Sequence, residues 1–208
     1  MGRLVVERLQ QASELSLAWA VTRNWRPEME ADVIIDFSSP AGFEALLVQA
    51  QIPIVSGTTG VTPPAQPRIP LLHAPNFSLG VAVLARLVHE AARLLPEFDA
   101  EITEMHHRHK KDAPSGTALR LAQALDPERS LAHGRTGPRQ GREIGMHALR
   151  GGDVIGEHTV ILAGPGERLE LRHTATHRGV FAEGAIAGAR WIVGKTPGLY
   201  TIEDVLGF

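Results

Sequence analysis

Residues 101–119, EITEMHHRHKKDAPSGTAL, decide how this chain is organised. Three histidines, one arginine and two lysines occupy six consecutive positions, 106–111. Residues 98–105 alternate in polarity as a half-buried strand does. Asp112, Ala113 and Pro114 form a loop, and Ser115, Gly116 and Thr117 open a helix that ends near Leu125. A cationic run thus stands at a strand's end and faces the start of a helix. Side-chain cations on one wall and unpaired helix-terminal N–H groups on the other make a pocket for an anion.

Upstream of this stretch, short apolar runs alternate with helical patterns. Residues 1–11 carry Leu4, Val5, Val6 and Leu9 on one helical face. Residues 15–21 (LSLAWAV), 31–36 (ADVIID), 52–56 (IPIVS) and 69–73 read as buried strands, nearly continuous in apolar character as parallel strands are. Ser39 and Pro40 start a helix over residues 41–51, as N-cap and first-turn proline. Residues 57–60 (GTTG) form a turn, and residues 61–70, with four prolines, form a loop. Residues 77–95 read as the longest helix, with Leu84, Leu87, Val88, Ala91, Leu94 and Leu95 in its apolar stripe. The alternation predicts an α/β parallel sheet.

Downstream the pattern changes. A polar, glycine-rich loop, residues 133–141, leads into three extended runs, 143–150, 153–163 and 168–176. Turns at Gly151-Gly152 and Gly164-Pro165-Gly166 separate them, and such short connections predict antiparallel pairing. An open antiparallel sheet following a parallel one implies a second domain. Residues 179–193 form a last helix rich in small residues, and a short, partly apolar tail closes the chain.

Composition narrows the function. A chain of 208 residues with 43% hydrophobic residues can bury a core. A net charge of −2 argues against a nucleic-acid-binding face, so the cations at 106–111 are local. There is no cysteine, hence no disulfide and no thiolate chemistry. No apolar run reaches membrane-spanning length and no secretory pattern opens the sequence, so the expectation is a soluble, cytoplasmic protein.

The basic run admits four readings. A solvated charged turn is the commonest fate of such clusters, but histidine is a poor choice for mere solubility. A metal site built from His106, His107, His109 and Asp112 is disfavoured, because adjacent residues on an extended segment point to opposite faces. Nucleic-acid binding lacks interleaved aromatics. The fourth reading is a catalytic pocket for a small carboxylate substrate, in which histidine exchanges protons near neutral pH. A nucleotide-binding edge is also suggested. Asp36-Phe37-Ser38, Gly57-Thr58-Thr59 and Ala74-Pro75-Asn76-Phe77 each follow a strand, where ligands of open α/β sheets bind.

HHRHKKDAPSGTA, with SGTTG, APNFSLG, GEHTV and GLYTIEDVL, resembles dihydrodipicolinate reductase over nearly the whole chain. The resemblance implies a Rossmann-like parallel-sheet domain, its first strand missing here, formed by residues 1–76 and 178–208. It implies an α+β domain with an open mixed or antiparallel sheet, residues 77–177, that binds substrate and builds a homotetramer. The implied reaction is reduction of 4-hydroxy-tetrahydrodipicolinate, or its dehydrated form, to tetrahydrodipicolinate by NADPH or NADH, in lysine and diaminopimelate biosynthesis. By motif position His106 resembles the catalytic acid/base and Lys110 the proton donor. His107, Ser115, Gly116 and Thr117 resemble substrate contacts, and Gly57, Thr58, Thr59, Ala74, Pro75, Asn76 and Phe77 resemble cofactor contacts. No metal is implied, and the partners are a small dicarboxylate and further copies of the chain, with neither nucleic acid nor membrane.

Departures from the family pattern set further expectations. The family's glycine-rich phosphate loop is represented only from Met1-Gly2-Arg3, so Gly2 is its sole glycine here, and about ten residues are expected upstream. If the chain starts at Met1, weak dinucleotide binding and a non-catalytic oligomeric binding protein become the alternative. About twenty positions beyond the glycines, where an acidic residue holds the ribose of NAD, stand Thr22 and Arg23. Arg23 can pair with a 2′-phosphate, which predicts NADPH over NADH. The stretches 24–30 and 61–68 are short and should carry no helix.

Overall fold

The computed structural model describes residues 1–12, 14–22 and 30–208. In chain order the elements are α1 (Gly2–Leu9), β1 (Ile34–Asp36), α2 (Pro40–Gln49), β2 (Ile54–Ser56), β3 (Pro70–His73), α3 (Leu79–Leu94), β4 (Asp99–His106), α4 (Gly116–Leu125), β5 (Leu131–His133), β6 (Ile144–Arg150), β7 (Gly156–Gly164), β8 (Glu167–Ala175), α5 (Gly179–Ile192), β9 (Gly198–Tyr200) and α6 (Ile202–Leu206). They form two compact units, Met1–Leu79 with Arg178–Phe208, and Gly80–His177. The architecture is α/β, with one parallel and one mixed sheet.

The first unit holds a four-stranded parallel sheet in the order β1-β2-β3-β9. Asp36, Ser56 and His73 are register partners, so the strands end level and the loops that follow them share one edge. Ser39 caps α2, its hydroxyl accepting from the Gly42 N–H, and Pro40 takes the first helical position. Phe43, Leu46, Ile54 and Leu71 form one buried cluster of this unit; Val5, Ala182 and Ile186 form another, joining α1 to α5.

Residues 15–21 do not form the buried strand expected of them. They carry no strand hydrogen bonding, and Trp19 and Val21 are 57% and 45% exposed. A strand needs a ladder partner, and among the described residues β1 pairs only with β2. Local apolarity alone could not supply that partner. Arg23 and residues 24–29 lie outside the described residues; residues 61–68 carry no helix, as expected.

The second unit is a five-stranded sheet in the order β5-β6-β4-β7-β8. Its core packs α3 and α4 against one face, through Leu84, Val88, Leu121, Ile102, Ile144 and Val160. Leu87 and Leu94, expected in the apolar stripe of α3, are instead exposed, at 50% and 65%. The uniform antiparallel pairing expected of the three extended runs needs correction. β7 and β8 do form an antiparallel pair, but β6 does not pair with β7. β4 lies between them, parallel to β6 and antiparallel to β7. β4, with Ala100 and Ile102 fully buried, holds the central position and is paired along both edges. The short strands β5 and β9 and the helix α6 carry too few residues to have shown a period.

Candidate functional site

In β4 every second residue from Ala100 to His106 is buried: Ala100, Ile102, Glu104, His106. The apolar face of the strand therefore ends in a carboxylate and an imidazole. Glu104 is 0% exposed, and an isolated charge there would cost several kcal/mol. Four donors remove that cost. Arg150 Nη1 and Nη2 donate to Oε2 and Oε1, both at 2.9 Å. The Ser115 backbone N–H donates to Oε1 at 3.1 Å, and His106 Nδ1 stands 2.5 Å from Oε2. Burial alone would raise the Glu104 carboxyl, but Arg150 and His106 hold it below its ordinary value.

The sheet explains why these side chains meet. His106 and Arg150 are register partners across the parallel β4–β6 pair, and Glu104 and His158 across the antiparallel β4–β7 pair. Ser115 caps α4, its hydroxyl accepting from the Ala118 N–H while also meeting His158 Nε2 at 3.2 Å. The helix start and the strand end are thus joined through Glu104. His106 and His158 pack edge to face, 5.1 Å between centroids. Burial lowers His106 below its ordinary value against the opposing pull of Glu104. Burial, and then the neighbouring His106, push His158 down to about 4, so it is neutral near neutral pH.

Around this cluster stand the other residues singled out from sequence. Lys110 is paired with Asp112 at 2.8 Å, and that pairing holds the Asp112 carboxyl low. Arg150 Nη2 also donates to the Asp112 carbonyl at 2.5 Å, tying down the loop that bears Lys110. His107 points off the buried face and is half-buried, its ring tilted toward His109. Gly116 is exposed, with no atom within 4 Å of where a Cβ would stand, and Thr117 is half-buried. Glu104, Arg150 and His158 carried no assignment from sequence. Period-2 reading of β4 would have exposed Glu104, since a charged residue in a row of core positions is anomalous.

Among the described residues Glu104, His106 and His158 form the trio whose candidate ligand atoms lie within 4.8 Å of one another. Both Glu104 oxygens already accept from cations or N–H groups, and the Arg150 guanidinium lies against them. That donor set belongs to a proton network, and a divalent cation would have to displace an arginine.

In the first unit the turn after β2 is fixed from below. Asp36 Oδ2 accepts from the Ser56 hydroxyl at 2.7 Å and the Thr58 hydroxyl at 2.8 Å, and Oδ1 accepts from the Ser38 N–H at 3.0 Å. His73 Nε2 meets the Thr58 carbonyl at 2.9 Å. Thr58 therefore turns its side chain into the protein, while Thr59 is exposed. A Cβ at Gly57 would stand 2.2 Å from the Phe37 ring, so any other residue there would require that ring to shift. Phe37 in turn packs edge to face on Phe77, which is buried along with Ala74. Pro75 is exposed and Asn76 half-buried, its side-chain oxygen accepting from the Ser78 N–H at 2.8 Å. Gly2 occupies the first position of α1.

A parallel open sheet with its loops gathered at the carboxyl edge, and a second unit bearing a buried acid–base network, define a two-unit α/β protein of the class that includes dinucleotide-dependent reductases. The chain belongs to the dihydrodipicolinate reductase family: the family's C-terminal region matches residues 80–206 and its N-terminal region residues 26–77. It is 46% identical to the 4-hydroxy-tetrahydrodipicolinate reductase of a Nitratiruptor species, covering 100% of this chain and 90% of that one. It is 48% identical to the enzyme of the same name from Myxococcus xanthus, over 86% of this chain and 73% of that one. The solved dipicolinate-bound dihydrodipicolinate reductase from Paenisporosarcina sp. TG-14 superposes with a TM-score of 0.67 at 28% identity, covering 83% of this chain and 72% of that one.

Proposed function

We propose that this chain reduces 4-hydroxy-tetrahydrodipicolinate to tetrahydrodipicolinate in lysine and diaminopimelate biosynthesis, with a nicotinamide cofactor as reductant. The observation that carries this reading is the closure of HHRHKKDAPSGT on itself: Glu104 links the His106 strand end to the Ser115 helix start. The relatives cited above bear the name of this activity, which leaves the binding-protein alternative unfavoured.

The cofactor supplies a hydride when bound. Residues of the first unit suit a dinucleotide: three level strand ends, a pinned turn after β2, and at Gly2 a helix start where no other side chain or distant backbone atom of the described residues lies within 4 Å of a Cβ position. Gly2, Gly57, Thr58, Thr59, Ala74, Pro75, Asn76 and Phe77 are its contacts in this reading; because the Thr58 hydroxyl is committed to Asp36, Thr58 acts through its backbone. Arg23 would favour NADPH by pairing with the 2′-phosphate.

The substrate is a ring bearing two carboxylates; its 4-hydroxyl leaves as water, and hydride addition to the resulting conjugated imine develops further negative charge that a delivered proton then cancels. His107, Gly116 and Thr117 hold a carboxylate at the start of α4, where backbone N–H groups and the helix dipole favour an anion, and Ser115, its N–H committed to Glu104 and its hydroxyl to the helix cap, serves the substrate by fixing that helix start. His106 exchanges the proton and Lys110 delivers one to the ring, both placed to stabilise charge as it develops. A dipicolinate ligand in the Paenisporosarcina relative is consistent with a planar dicarboxylate of this kind. β8, nine residues long and largely exposed along one edge of the second sheet, supports assembly of copies into a homotetramer. Among the described residues no helix is long and apolar enough to cross a membrane.

The test is substrate-dependent oxidation of NADPH and NADH followed at 340 nm. Turnover with both, and a lower KM for NADPH, is expected. Binding of the substrate without any cofactor oxidation would overturn the reading, and a clear NADH preference would overturn the role of Arg23.

A further inference from the structure

We propose that Glu104 is a positioning residue for His106, fixing its proton on Nδ1 and presenting a bare Nε2 to the ligand, with Arg150 holding Glu104 in place as an anion. The inference rests on the acid/base reading of His106 given above. An ionised carboxylate only accepts hydrogen bonds. At 2.5 Å from Glu104 Oε2, His106 Nδ1 must therefore be the donor, and in the neutral ring Nε2 is left as the acceptor.

The surroundings of Nε2 fit this task. Gly156 of β7 lies beside it, and a Cβ there would stand 3.1 Å from Nε2. Glycine thus avoids crowding Nε2, whereas Nδ1 is taken up by Glu104. A carboxylate kept only for stability would need Arg150 and nothing more, and buried ion pairs contribute little net stability over apolar packing. Here the carboxylate commits one of its oxygens to the imidazole and the other to the backbone N–H that starts α4. It sets the tautomer of the histidine and the position of the helix start together.

The charged and titratable groups around His106 come from every neighbouring element: Glu104 on β4, Lys110 and Asp112 on the following loop, Arg150 on β6, and His158 on β7 with His173 behind it on β8. Glu104 is the only one of these in hydrogen-bond contact with the ring among the described residues. Removing its charge while keeping its shape should therefore lower the pH at which His106 titrates.

Three variants and one spectrum test this. Glu104→Gln should lower kcat by about 10²-fold with KM changed far less, and move the kcat limb assigned to His106 to lower pH. Glu104→Asp, which keeps the charge, should recover part of both. In the unaltered enzyme, nitrogen-15 spectra of His106 above its titration should show the Nδ1–H tautomer, and Glu104→Gln should give a mixed or inverted one. An Nε2–H tautomer in the unaltered enzyme overturns the proposal even if no variant folds. So does a Glu104→Gln enzyme whose pH profile and tautomer are unchanged. His106→Gln separates the two ideas: full turnover there removes the acid/base reading itself, whereas lost turnover there beside an unaltered Glu104→Gln pH profile removes only the positioning role.

Discussion

Glu104 and His158 stand directly opposite each other across the β4–β7 pair, and both close on Ser115. Glu104 Oε1 accepts from its backbone N–H at 3.1 Å, and His158 Nε2 meets its hydroxyl at 3.2 Å. One residue at a helix start is therefore gripped by an anion and by a neutral ring at once. His158 is 3% exposed and among the described residues its Nδ1 has no hydrogen-bond partner, so protonation would leave a buried cation unsupported there.

This makes stability depend on pH. His158 is pushed down to about 4 in the fold, while in the unfolded chain it returns to about 6.5. Between those values the unfolded chain binds a proton that the fold refuses, so stability falls on acidification from 6.5 to 4, by about 3 kcal/mol in all. Glu104, held low in the fold, adds a loss in the same direction at lower pH, as its carboxyl protonates. Urea unfolding from pH 7 to 4 should show the decline, and His158→Gln should flatten it. Equal slopes for the two proteins would refute the assignment.

Arg150→Met leaves the Glu104 carboxylate buried without its guanidinium. A loss of about 3–5 kcal/mol is expected, read as a lower denaturant midpoint at constant m-value. Adding Glu104→Gln to Arg150→Met should restore part of it, because no charge then remains to be compensated. An additive double variant would mean that the pair is not coupled.

His106→Ala should reduce kcat by about 10²–10⁴-fold, the usual worth of a positioned acid or base. Lys110→Ala should be comparably severe, and should also release Asp112 from its partner. Steady-state kinetics at saturating substrate check both. Turnover near that of the unaltered enzyme in either variant would reassign that residue.

Two glycines of α5 separate backbone crowding from side-chain crowding. A Cβ at Gly184 would stand 1.8 Å from the Phe77 carbonyl oxygen, whereas one at Gly188 would meet the end of the Leu72 side chain at 2.4 Å. A leucine can change rotamer and a carbonyl cannot. Gly184→Ala should therefore cost more than the about 1–3 kcal/mol of ordinary overpacking, and Gly188→Ala no more than that. Thermal melts of the two variants rank them.

The sequence made part of this site legible and hid the rest for a physical reason. Pro114-Ser115-Gly116-Thr117 announced a helix start because capping is local chemistry, and Ser115 does cap α4. His106 and His107 part to opposite faces, as neighbours on a strand must. Glu104 was visible in the alternation of β4 but lay just outside the conspicuous basic run. Arg150 and His158 reach the site through strand register across the sheet, and no local pattern states that β4 inserts between β6 and β7. The same gap misled the reading of residues 15–21, where apolar composition suggested a strand and pairing decided otherwise.

The discontinuous first unit has a bearing on how the protein comes off the ribosome. Gly80–His177 is spelled out between β3 and β9, which must pair in parallel, Pro70 with Gly198. At about 5–20 residues per second, β3 waits about 6–25 s for its neighbour to be synthesised. Throughout that interval the inserted unit, whose sheet is contiguous in sequence, can complete itself first. Nascent chains halted shortly after His177 should therefore yield a protease-resistant core drawn from the second unit alone.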